Sequence, residues 1–213
     1  MKFSVTILGS SAAVPTKRRN PTAHLLNIRG RLVLIDCAEG TQLQLTRFNV
    51  PIQKISQVFI SHMHVDHYYG LIGLISKFHL VGRQKKLELF GPPGLIDIIE
   101  LNLKESKTKL HYPLVFHPLS FGTPEVIYSD KLFKASTVPL KHSVPTNGFI
   151  FREQPRLRNI RKDFAGKEGL TYHDIRRITQ GGDYTDPAGK FFRNEEITHD
   201  PPRSRSYAYL TDT

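Results

Sequence analysis

The run Ser61-His62-Met63-His64-Val65-Asp66-His67 packs four side chains able to ligate a divalent metal into six positions. His62 and His64 are two residues apart, so an extended segment turns both imidazoles to one side. Asp66 and His67 fall where the segment tightens toward an apolar stretch, and can face a second point close by. Two ligand pairs of this kind suit two divalent metals about 3.5–4 Å apart, which share and ionise a water between them. The mixed imidazole and carboxylate donors favour zinc, with manganese, cobalt or iron as alternatives. A polar loop whose histidines only cap the next helix is the plainer reading. It suits His24, His79, His111, His117, His173 and His199, which are isolated in sequence, better than three His and one Asp packed this tightly. Two further ligands complete the set. His142 lies in Pro139-Leu140-Lys141-His142-Ser143-Val144-Pro145, just past an alternating stretch, and Asp212 closes the last strand pattern. Strand ends hold such ligands rigidly while the loops stay open to substrate.

The elements that must position these residues are legible from periodicity. Phe3, Val5 and Ile7 alternate with polar residues and predict a half-buried strand ending at Gly9-Ser10. Residues 24–28 and 32–36 flank Arg29-Gly30, which predicts a hairpin. Residues 40–48 predict a short helix and 57–61 another strand. Residues 68–80 predict a helix with Leu71, Ile72, Leu74, Ile75 and Phe78 inward. A strand at 87–90 stops at Gly91-Pro92-Pro93-Gly94 and leads into a helix over 95–103. Residues 126–128 and 132–140 bracket Ser129-Asp130 as a second hairpin, and 147–152 predicts a strand. From 153 to 206 the pattern dissolves into Arg, Gly, Asp and Pro with little periodicity, which reads as a partly helical insertion. A short strand returns at 206–211.

Composition bounds the function classes. The chain has 213 residues, 39% hydrophobic and 23% charged, which is one globular domain over 1–213 interrupted by the 153–206 insertion. No apolar run reaches the roughly 20 residues that span a bilayer, and the opening MKFSVTILGSSAAVP alternates like a strand rather than a signal peptide. The reading excludes a membrane partner. The lone Cys37 excludes an intramolecular disulfide and a Cys-rich zinc module, so a cytoplasmic location is expected. Lys plus Arg number 30 against 19 Asp plus Glu, a net charge of +11, and a field of this sign attracts a polyanion.

The motifs in order resemble one family. His62-x-His64-x-Asp66-His67 resembles the signature of the metallo-β-lactamase superfamily, and the flanking sequence narrows the resemblance to ribonuclease Z, the tRNA 3′-processing endonuclease. Leu8-Gly9-Ser10-Ser11-Ala12-Ala13-Val14-Pro15-Thr16 with Arg19-Asn20 is similar to that family's first loop. Ile35-Asp36-Cys37-Ala38-Glu39-Gly40-Thr41-Gln42 with Gln44-Leu45 is similar to its second motif. Gly70-Leu71-x-Gly73-Leu74, Gly91-Pro92-x-Gly94-Leu95, the His142 loop running to Gly148-Phe149, and Tyr207 to Thr213 follow in register.

The resemblance implies a mixed α/β (α+β) four-layer αββα sandwich with two zinc ions per subunit at one edge of its sheets. By position it implies one zinc on His62, His64 and His142, the other on Asp66 and His67, and Asp212 bridging both. It makes Asp66 the proton acceptor while a metal-bound hydroxide attacks the phosphodiester 3′ of the discriminator base of precursor tRNA, leaving a 3′-hydroxyl and a 5′-phosphate. Asp36 and Glu39 then read as residues that order loops or orient a ligand His, and Cys37 as a small buried residue. The resemblance also implies a homodimer and a substrate-binding arm, taken here as 153–206. Arg156, Arg158, Arg161, Lys162, Arg176 and Arg177 would give the arm a basic face, and Lys17, Arg18 and Arg19 would contact RNA from the first loop. It places a His-Glu helix start and a last His ligand beyond Thr213, so a C-terminal part is expected to be missing from these 213 residues. Two other readings are a hydrolase or phosphodiesterase of this fold acting on a small substrate, and a non-catalytic RNA-binding remnant.

Overall fold

A computed structural model of the chain describes residues 2–166 and 170–213. The chain divides into two compact units, one of residues up to Arg152 with Ser206–Thr213, the other Glu153–Arg205. In chain order the elements are β1 Phe3–Gly9, β2 Ala23–Ile28, β3 Arg31–Ile35, α1 Thr41–Arg47, a 3-10 turn Ile52–Lys54, β4 Ile55–Phe59, α2 Val65–Tyr68, α3 Gly70–Leu80, β5 Leu87–Gly91, α4 Gly94–Glu105, β6 Leu114–Pro118, β7 Val126–Ser129, β8 Phe133–Leu140 and β9 Thr146–Glu153. There follow β10 Asn159–Ile160, α5 Lys162–Ala165, α6 Tyr172–Thr179, β11 Tyr184–Thr185, β12 Phe191–Phe192, α7 Asn194–Ile197, β13 Thr198–His199 and β14 Ser206–Tyr209.

The first unit holds two sheets, a six-stranded one in the order β1-β2-β3-β4-β5-β6 and a four-stranded one in the order β14-β9-β8-β7. β1, β2 and β3 pair antiparallel, whereas β3 through β6 run parallel. Strand alternation sorts the side chains between two cores. Val33, Ile35, Phe59 and Phe90 point between the sheets, where they meet Phe133, Phe149, Phe151 and Tyr209. Leu32, Leu34, Val58, Ile60, Leu87 and Leu89 point the other way, onto Leu45, Leu71, Leu74, Ile75, Phe78, Leu95 and Ile99 of α1, α3 and α4. Phe59 stacks on Phe90 with ring centroids 4.5 Å apart and meets Phe151 edge-on at 5.1 Å. At about 1.5–3 kcal/mol for each large apolar side chain removed from water, these two layers dominate the unit's stability. Helix, sheet and sheet are thus the layers formed by its described residues.

The hairpin at Arg29-Gly30 forms with both residues left-handed, φ 53° and 95°, as the tight turn between β2 and β3 demands. The helix expected over 68–80 begins earlier, as α2, and is interrupted at Tyr69 before α3. The expected strand at 57–61 forms two residues upstream as β4, which frees Ser61 and His62 from the ladder. Strand β6 is unforeseen. It is the edge of its sheet, with Val115 exposed and prolines at 113 and 118, so its sequence carries no clean alternation.

The second unit has its own small core of Phe164, Ile178, Tyr184 and Ile197, with Ile160, Leu170 and Phe192 against it. Its strands are two-residue antiparallel pairs, β10 with β13 and β11 with β12. Asn194 ties it internally, donating from Nδ2 to the carbonyls of Ile178 and Gly182, each at 2.7 Å. At its two ends the Arg205 guanidinium donates to the Glu153 carboxylate at 2.9 and 3.0 Å. Residues 167–169 of the expected 153–206 arm lie outside the described residues.

Candidate metal centre

The C-terminal ends of the parallel strands carry the chemistry, since β3 runs into Asp36 and β4 into Ser61-His62. Asp36 takes a left-handed backbone, φ 51°, and is fully buried. The turn aims its carboxylate back at the neighbouring strand end, where it accepts the Ser61 N–H at 2.8 Å and the Ser61 hydroxyl at 2.9 Å. His67 Nδ1 donates to the same carboxylate at 2.7 Å, and the Tyr209 hydroxyl also donates to it, at 2.6 Å. Asp36 therefore fixes the His67 tautomer and leaves Nε2 facing outward, 3.6 Å from Asp66 Oδ2 and 3.4 Å from Asp212 Oδ2. A second restraint presses this loop on the helices. The Gly70 N–H donates to the Cys37 carbonyl at 2.9 Å, and a Cβ on Gly70 would stand 2.1 Å from the Ala38 carbonyl oxygen. Only glycine permits that approach.

His62 is buried, with Nε2 3.1 Å from His64 Nδ1 and 3.8 Å from Asp212 Oδ2. His142, on the loop after β8, brings Nε2 to 3.2 Å from His64 Nδ1 and 3.9 Å from Asp212 Oδ2. One ligating atom from each of His62, His64, His142 and Asp212 lies within 4.8 Å of the others. Asp66, at the start of α2, receives the Ala13 N–H on Oδ2 at 3.0 Å, which ties the first loop to the cluster. His64, Asp66, His67, His142 and Asp212 line a pocket of about 410 Å³ together with Ser10, Ser11, Ala12, Ala13 and Thr22.

Electrostatics agree with a cation-binding role for this donor set. Burial first, and then the neighbouring imidazoles of His67 and His64, push the His62 pKa down to about 4, so its lone pair is free at neutral pH. Burial works against the charged form of His67 too, but the Asp36 hydrogen bond and charge, with Asp66 and Asp212, outweigh it and raise that pKa. Three imidazole nitrogens this close cannot all carry protons without strong repulsion. A divalent metal fits the set of three imidazoles and a carboxylate. Burial pushes the Cys37 thiol up, which makes it a packing residue and a poor nucleophile.

The remaining sequence-selected residues lie elsewhere. Lys17, Arg18 and Arg19 line a pocket of about 530 Å³ that shares Ser10, Ser11 and Ala12 with the central one. In the second unit, Arg156 pairs with Glu153 at 3.4 Å, Arg158 with Asp200 at 2.5 Å, and Arg161 with Asp163 at 3.6 Å. Lys162 opens α5, and Arg176 and Arg177 lie on the exposed side of α6. His24 bonds to the Tyr207 hydroxyl at 2.8 Å, and His117 stacks on Phe90 at 4.4 Å. Sequence reasoning missed Tyr209, Ser61 and the Ala13 N–H. Motif spacing signals ligands but carries no sign of which phenol or amide reaches a carboxylate.

The family profile of the Anti-Pycsar protein Apyc1 matches residues 3–138. Ribonuclease Z of Bacteroides fragilis is 37% identical over 214 aligned residues, covering 100% of this chain and 70% of that protein. Ribonuclease Z of Cytophaga hutchinsonii is 42% identical, covering 100% of this chain and 68% of that protein. Among solved structures, human tRNase Z, short form, superposes with a TM-score of 0.66 at 28% identity, over 84% of this chain and 75% of that one. The metallo-β-lactamase fold protein YhfI of Bacillus subtilis, at 19% identity and a TM-score of 0.55 over 69% of this chain and 56% of that one, shares the fold. No helix among the described residues is long and apolar enough to cross a membrane. The chain belongs to the ribonuclease Z family, on the metallo-β-lactamase fold, and its residues 3–138 also belong with the family of the Anti-Pycsar protein Apyc1.

Proposed function

We propose that this chain is a metal-dependent endoribonuclease that removes the 3′ trailer from precursor tRNA, cutting after the discriminator base. The convergence of His62, His64, His142 and Asp212 on one point, in a chain 37% identical to a ribonuclease Z, carries the reading. His62, His64 and His142 would hold one zinc, Asp66 and His67 a second, with Asp212 between them. Bound there, the two cations would acidify a water and neutralise charge on the phosphorus.

The chain's own residues do the rest. Asp36 holds the His67 ring by Nδ1. Ala13 N–H fixes the Asp66 carboxylate through Oδ2, so that carboxylate is oriented to take the proton of the attacking water. The water oxygen bonds to phosphorus, the P–O3′ bond breaks, and the departing 3′ oxygen takes a proton from solvent water. Ser10, Ser11 and Thr22 also wall the pocket. Lys17, Arg18 and Arg19 bind RNA phosphate beside it. The segment 153–206 serves as the substrate-binding arm through Arg156, Arg158, Arg161 and Lys162, and the enzyme works as a cytoplasmic homodimer. The net charge of +11 and the single, buried cysteine support an RNA substrate and a reducing compartment.

Substrate choice tests the reading. Precursor tRNA and a small aryl phosphodiester are offered together with zinc. Trailer removal as the main reaction supports it, and turnover of the small diester alone overturns it in favour of a small-substrate hydrolase.

A further inference from the structure

The central pocket shares walls with two different neighbours. One is the basic pocket of Lys17, Arg18 and Arg19, which shares Ser10, Ser11 and Ala12 with it. The second is a smaller slot of about 170 Å³ that shares Ala13 and Asp66 with the central pocket and is otherwise walled by Pro21, Glu39, Val65 and Tyr69. Three of these walls are apolar or aromatic: Tyr69 is 63% exposed and Val65 53%, while Pro21 is buried. The pair is built into the chain. The Tyr69 N–H bonds to the Val65 carbonyl at 3.0 Å, which sets the two side chains four residues apart on one helical face. Glu39 follows Ala38, whose carbonyl Gly70 approaches closely, and it lines the same slot. Tyr68 lies behind Tyr69, with ring centroids 6.1 Å apart and planes inclined by 30°.

We infer that this slot is a nucleobase subsite, in which a base flanking the scissile phosphate stacks on Tyr69 against Val65 and Pro21. The inference rests on the RNA-cleaving reading above. Two carboxylates, Glu39 and Asp66, rim the slot and repel phosphate, which the basic pocket of Lys17, Arg18 and Arg19 attracts. An uncharged aromatic ring is what the slot accepts, and the Glu39 carboxylate offers an acceptor for an exocyclic amine. Because Asp66 walls both cavities, a phosphodiester at the ligand cluster puts its flanking base within reach of Tyr69. Stacking on one aromatic ring is sequence-tolerant, as a trailer-removing enzyme that meets many tRNAs requires.

The test uses the full chain with zinc and a precursor tRNA whose scissile linkage is an uncleavable methylenephosphonate. The fluorescent base 2-aminopurine replaces, in separate RNAs, the base on either side of that linkage. Binding quenches one of the two probes in the native chain. Tyr69→Ala abolishes the quench and weakens binding roughly 5- to 150-fold, and Tyr69→Phe restores both. Circular dichroism of Tyr69→Ala reports the fold, which an exposed side chain does not support. Tight binding with identical fluorescence in the native chain and Tyr69→Ala overturns the subsite and leaves the endonuclease reading standing. Absence of precursor binding overturns both.

Discussion

The hydroxyl of Tyr209 joins the strand that leads to Asp212 to the carboxylate that orients His67, so Tyr209→Phe isolates one bond of that support. The phenol donates to Asp36 Oδ2 at 2.6 Å, and both residues are buried. Deleting the oxygen keeps the ring in the inter-sheet core and its edge-on contact with His24 at 5.0 Å. Asp36 retains the Ser61 N–H, the Ser61 hydroxyl and His67 Nδ1, so no charge is stranded. The loss is one hydrogen bond to a charged acceptor, about 1.5–3 kcal/mol. At about 2–4 °C per kcal/mol for a chain of this size, the melting temperature of the metal-free protein falls by about 3–12 °C. Burial and the Asp36 charge raise the Tyr209 pKa, so the phenol stays a donor and the loss is constant across neutral and mildly alkaline pH. Denaturant unfolding of native chain and variant, in chelator at several pH values, measures it. A loss below about 0.5 kcal/mol, the range of a neutral surface change, would refute the claim that this phenol braces Asp36.

Other consequences follow from the same geometry. The metal-free chain loses stability as pH falls from about 6.5 toward about 4, because unfolded His62 takes a proton that folded His62 refuses. His67 acts with the opposite sign, adding stability below its unfolded pKa that disappears as pH rises through its raised folded value. Unfolding midpoints against pH show both limbs, and His62→Gln flattens the acid one. Gly70→Ala forces a methyl onto the Ala38 carbonyl and costs about 1–3 kcal/mol in denaturant unfolding, with a weaker grip on metal. His142→Ala lowers bound zinc per chain in equilibrium dialysis without moving the metal-free unfolding midpoint by more than about 0.5 kcal/mol, since His142 sits on a loop outside either core.

Much of this was legible in the residues because the chemistry is local there. His62, His64, Asp66 and His67 share one loop, and strand alternation in residues 3–9, 24–28 and 32–36 reports a sheet buried on one or both faces. The supports were not legible. Asp36 reaches His67 only through a left-handed turn, and Tyr209 reaches Asp36 across 173 positions of sequence. Strand β6 hid behind its flanking prolines and exposed Val115, where edge position relaxes the pattern. In residues 153–206, the two-residue strands and the four-residue helices α5 and α7 are too short to show a period, and α6 spans eight residues. Their order comes from Asn194 and a four-residue core instead of from propensity.

End-mapped cleavage of a labelled precursor tRNA tests the central claim most directly, comparing the 213-residue chain with Asp66→Ala, with and without chelator. The account predicts one zinc-dependent cut after the discriminator base, with a 3′-hydroxyl on the tRNA and a 5′-phosphate on the trailer, lost in Asp66→Ala. Cutting that survives chelator or Asp66→Ala, or zinc-loaded protein that leaves the precursor whole, would contradict it.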